Sequence, residues 1–72
     1  MKRIHFDNVK VGVRYNIKTI SGWRQATVVD KSKPNKTHDY WSVKFKYDNT
    51  PIGFIGGEIA SYDEYFNMEK ID

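Results

Sequence analysis

In the stretch Tyr40-Trp41-Ser42-Val43-Lys44-Phe45-Lys46-Tyr47, the apolar set Trp41, Val43, Phe45 and Tyr47 alternates with Ser42, Lys44 and Lys46. A period of two puts the first set on one face of a strand and the second on the other, so this segment predicts a strand with one buried face and one wet, cationic face. The same pattern recurs upstream. In Val11-Gly12-Val13-Arg14-Tyr15-Asn16-Ile17-Lys18, the residues Val11, Val13, Tyr15 and Ile17 share a face opposite Arg14, Asn16 and Lys18. Gly22 closes a loop at Ile20-Ser21-Gly22, and Trp23–Asp30 resumes with β-branched residues and the small Ala26, which suits a strand crossing a tight interior. The stretch from Lys31 to Asp39 has no period, contains Pro34-Asn35 and is strongly basic, which predicts an exposed, mobile connection.

Downstream, Asp48-Asn49-Thr50-Pro51 has turn chemistry, Ile52-Gly53-Phe54-Ile55 reads as a short strand bulged at Gly53, and Gly56-Gly57 ends it. Ile59-Ala60-Ser61-Tyr62 is a fifth short strand. Ser61-Tyr62-Asp63-Glu64 has the form of a capping box and predicts a final helical turn through Tyr65, Phe66 and Met68. Five short strands in 72 residues predict a mainly β fold: a small, strongly bent antiparallel barrel with a short C-terminal helical turn. An open sheet with the C-terminal helix laid across one face is the alternative. The expected core is Val11, Val13, Tyr15, Ile17, Ala26, Val28, Val43, Phe45, Ile55 and Ile59.

The length suits one domain over residues 1–72, with 63–72 as an acidic C-terminal turn or tail. Without cysteine, and with only His5 and His38 as imidazoles, neither disulfides nor a Cys-containing zinc site staples it, so no metal or cofactor is expected. A packed core must hold it. At about 0.05–0.15 kcal/mol per residue, its stability is expected near 4–11 kcal/mol. The longest apolar runs are two residues, too short for a signal segment or a membrane span, and a cytoplasmic location is the default expectation. The net charge of +3 divides unevenly. Residues 1–47 carry eleven bases and three acids, whereas residues 48–72 carry six acids and one base.

The order Val11-Gly12-x-Arg14-Tyr15, then Gly22-Trp23-Arg24-x-Ala26-Thr27-Val28, then Val43-x-Phe45-x-Tyr47-Asp48-Asn49 resembles the SH3-like small barrels of the Tudor and related groups, over roughly Phe6 to Tyr62. The resemblance implies a five-stranded SH3-like barrel, in a class whose members bind methylated peptides, proline-rich peptides, nucleic acids or other proteins. It matches Phe45, Tyr47 and Asp48-Asn49 to an aromatic cage for a methylated cation. Arg24 stands at the second-strand cage position, where a guanidinium repels such a ligand, and core packing is the stronger reading of Phe45 and Tyr47.

Catalysis has little footing in these residues. His38-Asp39 is the only adjacent base and carboxylate pair, and it lies in the predicted loop. The chain is therefore expected to be a non-enzymatic interaction module. Arg14, Lys18, Lys44 and Lys46 on outward strand positions, Arg24 at the start of the second strand, and Lys31, Lys33 and Lys36 in the loop predict a contiguous cationic surface for DNA or RNA. Trp23, Tyr40 and Trp41 are the stacking candidates, and no base-reading motif is present, so binding should tolerate sequence. The alternative is a protein-binding module, of the kind found among small phage-type inhibitors and regulators. It would dock on a host protein, or on a second copy as a homodimer, through the aromatic-acidic surface of Tyr62, Asp63, Glu64, Tyr65 and Phe66.

Overall fold

The computed structural model describes residues 3–48 and 56–71. Within them the chain is mainly β. Its strands are β1 (Ile4–His5), β2 (Arg14–Thr19), β3 (Gly22–Ser32), β4 (Trp41–Tyr47), β5 (Gly57–Ser61), β6 (Tyr65–Phe66) and β7 (Met68–Lys70), with a 3-10 turn over Phe6–Asn8. The expected strand at Ile52–Ile55, and Ile55 as a core residue, lie outside the described residues.

The alternation around Phe45 reads as predicted for Val43, Lys44, Phe45 and Lys46, whereas Ser42, expected on the wet face, is buried and donates its hydroxyl to Glu58. β4 lies between β5 and β3 in a five-stranded antiparallel sheet of order β5-β4-β3-β2-β7, and β1 pairs with β6 in a small second sheet. A two-residue turn at Ile20-Ser21 joins β2 to β3, with Thr19 opposite Gly22. Gly22 has φ +105°, which a side chain would oppose. The Thr19 hydroxyl fastens the turn by donating to the Gly22 carbonyl at 2.8 Å while accepting from the Ser21 N–H. In β3 the register slips between Val28 and Asp30, so that Val29 is an extra residue. Such a bulge bends and twists the strand. Among the described residues no ladder joins β5 to β7, and the sheet is open along that seam.

The inward set Tyr15, Ile17, Ala26, Val28, Val43 and Phe45 is buried, as the alternation predicts, and Val13 and Ile59 pack against it half-buried. Val11 is not a core residue. It is 55% exposed, because Lys10–Val13 forms a turn in which Gly12 takes φ +89° and the alternation begins only with β2. Its place is taken by Phe6 and Val9, both buried. Val9→Ala is therefore expected to cost about 2–3 kcal/mol and Val11→Ala less than about 0.5 kcal/mol, measured by urea unfolding.

The C-terminal helical turn is replaced by strands. Ser61, expected to cap a helix with Glu64, instead fastens a tight turn with Asp63: the Asp63 carboxylate accepts from the Tyr65 N–H at 2.9 Å and from the Ser61 hydroxyl at 3.0 Å. Beyond it, β7 pairs with β2 so that Met68 faces Ile17, and Phe66 and Met68 are buried. Tyr65–Phe66 and Met68–Lys70 thus belong to the sheets, and of the expected acidic turn or tail only Asp63 and Glu64 form a turn. No helix is long and apolar enough to cross a membrane among the described residues.

Candidate nucleic-acid interface

Arg14, Lys18, Lys44 and Lys46 share the face of the sheet opposite Tyr15, Ala26 and Phe45, as their parity requires. That face is not uniformly cationic. Register brings carboxylates from neighbouring strands among them: Lys44 lies between Asp30 and Glu58, and Asn16 lies beside Glu69. Arg14 forms an ion pair with Asp48 and donates a further hydrogen bond to Gln25 at 3.2 Å. The Asp48 carboxylate raises the Arg14 guanidinium above its ordinary value, through the hydrogen bond first and charge second. The expected contiguous cationic surface is therefore broken into patches.

Two of the expected contact residues serve the core. Lys31, shifted to the inward phase by the bulge, pairs with Val43, donates to the Phe6 carbonyl at 2.9 Å and holds its ammonium 4.4 Å from the centre of the Phe6 ring. Trp41 is half-buried and meets the same ring edge-on at 4.9 Å. The connection that carries Lys33 and Lys36 is ordered by Asn35, whose side-chain oxygen accepts from the Thr37 and His38 N–H groups. Lys33 and Lys36 remain exposed there, and the half-buried Tyr40 packs its ring against His38 at 4.3 Å.

Lys33 and Lys36 lie past one end of β3, and Trp23 and Arg24 lie at the other. Ten residue steps separate Gly22 from Ser32, a contour of about 33 Å. The nucleic-acid set thus divides between two ends of the molecule.

The hairpin end holds the more complete group. Trp23 is 42% exposed and pairs in register with Lys18, and Ile20 at the tip is fully exposed. Lys46 is on the same face, on the row formed with Arg14 and Thr27. Arg24 lays its guanidinium 4.7 Å from the Tyr47 ring centre. This last contact bears on the cage implied by the resemblance: Phe45 is buried, and Tyr47 already holds the protein's own cation. Trp23 shares the parity of Gln25 and Thr27, a signal present in the sequence that separates it from Trp41.

Beside this corner are two adjoining clefts. The larger, about 420 Å³, is lined by Lys18, Thr19 and Ile20, by Phe45 and Tyr47, and by Gly57, Glu58 and Ile59. The smaller, about 180 Å³, shares Lys18 and Ile59 and adds Arg3, Ala60, Ser61, Tyr65, Phe66 and Asn67. Sequence reasoning missed Arg3 and Ile20, which no local pattern marks as neighbours of β5.

The C-terminal surface is largely spoken for. Asp63 is held by a two-pronged contact from Arg3 at 2.9 and 3.1 Å, and Glu64 meets His5 Nε2 at 3.0 Å. Tyr65 lies under Arg3 at 5.1 Å and edge-on to His5. Phe66 belongs to the core, which leaves Tyr62, 82% exposed, as the freest member of the group. The Tyr65 N–H, then Arg3 and Ser61, hold the Asp63 carboxyl below the ordinary carboxylate range. A depressed value in the folded state means that this stabilisation is complete above about pH 4 and is lost as pH falls through the lower folded value. Asp63→Asn is accordingly expected to lower stability at neutral pH and to flatten its decline below about pH 4, read from thermal melts across that range.

No group of three or more metal-ligating side chains occurs among the described residues. The chain matches no protein-family model, no curated protein and no solved structure, and its own side chains carry the functional reading.

Proposed function

We propose that this protein is a non-catalytic interaction module, an SH3-like small barrel, that binds single-stranded DNA or RNA with little sequence preference at the β2–β3 hairpin end. The order β7-β2-β3-β4-β5, a four-strand meander from β2 to β5 with β7 returning beside β2, supports the barrel reading. The observation that carries the ligand is the exposed Trp23 beside Lys18. An indole face stacks on any base, and neighbouring cations neutralise the phosphates on either side. Lys46, on the same face, supplies a further charge, whereas Arg24, opposite Ile17, lies on the other side of the sheet against Tyr47, and no base-edge reader accompanies them.

Two phosphate contacts by Lys18 and Lys46 give a salt slope of about −1.4 for a single strand, an affinity loss of about sevenfold between 50 and 200 mM salt. Fluorescence anisotropy with a labelled oligothymidylate measures it. Lys18→Ala and Lys46→Ala are each expected to flatten the slope by about 0.7. Absence of binding at about 50 mM salt, or binding insensitive to salt, contradicts the proposal.

A further inference from the structure

β5 is hydrogen-bonded to β4 on one edge, and among the described residues no strand pairs with its other edge. An edge of this kind presents a row of backbone N–H and C=O groups able to accept another strand. The two clefts lie along β5 in succession: the larger is lined by Gly57, Glu58 and Ile59, the smaller by Ile59, Ala60 and Ser61. Together they form one groove the length of the strand, about 13 Å, in the seam where the sheet is open. We infer that this groove is a strand-addition site for an extended peptide of about five residues, carrying an apolar side chain and, two positions away, an acidic one.

The chemistry of the two halves selects that occupant. In the larger cleft, Ile20, Tyr47 and Ile59 offer apolar surface, and its one carboxylate, Glu58, is engaged by the Ser42 hydroxyl. At about 420 Å³ it is within the range of sites that enclose a side chain or small ligand. The smaller cleft is polar. Arg3 and Lys18 line it and no carboxylate does. Lys18 has no ion pair among the described residues, so an acidic side chain there gains a partner without displacing one. Residues two apart in a strand lie on the same side, about 7 Å from each other, which carries one side chain into each cleft.

The probe is the end-capped peptide Glu-Thr-Leu-Thr-Glu, whose symmetric order allows either strand direction. Titrated into isotope-labelled protein, it is expected to shift the amides of Gly57–Ser61 saturably. N-methylating its amides on one edge should weaken binding at least tenfold, whereas N-methylation on the opposite edge is tolerated, since only one edge of an added strand bonds to the sheet. Ile20→Lys, at a fully exposed position, should weaken binding about tenfold without changing the melting temperature, and replacing both Glu by Lys should do the same. The inference is overturned by unshifted β5 amides or by equal tolerance of both N-methylated forms. Sedimentation showing a dimer that protects β5 would also overturn it, by naming a second copy as the occupant.

Discussion

Replacing Phe66 by alanine is expected to cost about 3–5 kcal/mol, a large part of the about 4–11 kcal/mol available to a chain of this size. Phe66 is 2% exposed, pairs in register with Ile4, and packs at 6.4 Å from the Phe6 ring, which in turn supports Trp41 and Lys31. Removing it opens a cavity at the junction of the small sheet and the main core. At about 4–8 °C per kcal/mol, the melting temperature should fall by at least about 12 °C, or the cooperative melt should vanish. Tyr62→Ala, four residues earlier on an exposed turn, should change stability by less than about 0.5 kcal/mol. Calorimetry on the two variants separates a structural role for the C-terminal aromatics from a docking role. An unperturbed melt for Phe66→Ala would contradict the packing described above.

Trp23→Ala has the largest expected effect on binding. Stacking of one base on an aromatic side chain contributes about 1–3 kcal/mol, so affinity for a single strand should drop about 5- to 150-fold. The salt slope should hardly move, because the indole carries no charge. Stability should fall by no more than about 1 kcal/mol, the scale of one cross-strand pair with Lys18. Trp23→Phe, which keeps a π-face, should retain most of the affinity. This pattern, affinity lost with the slope intact, is opposite to that expected for Lys18→Ala and Lys46→Ala. Equal binding by the wild type and Trp23→Ala would remove the hairpin end from the interface.

The central strands were legible because each is long enough to show its period. Tyr15, Ile17, Ala26, Val28, Val43 and Phe45 all face inward as alternation requires. The rest of the core comes from pieces too short for any period to show: Phe6 from a 3-10 turn, Phe66 from a two-residue strand and Met68 from one of three. Val11 was out of phase because Gly12 turns the chain just before β2 begins. The outward cations were legible too, but their neutralisation was not. Asp48 reaches Arg14 across 34 positions, Asp30 meets Lys44 only through a register shifted at Val29, and Glu58 meets it from β5. The same bulge turned Lys31 from a solvent-facing cation into one lying against Phe6. Long-range pairing, which no local window encodes, decided which charges remained available.

The reading of this protein as a single-strand binder at its hairpin end is tested most directly by titrating oligothymidylate into isotope-labelled protein at about 50 mM salt and following the Trp23 indole N–H. Saturable shifts of that signal, together with the amides of Lys18 and Lys46, are the expected result. Spectra without change, or shifts confined to the connection that carries Lys33, Lys36 and Tyr40, would contradict it.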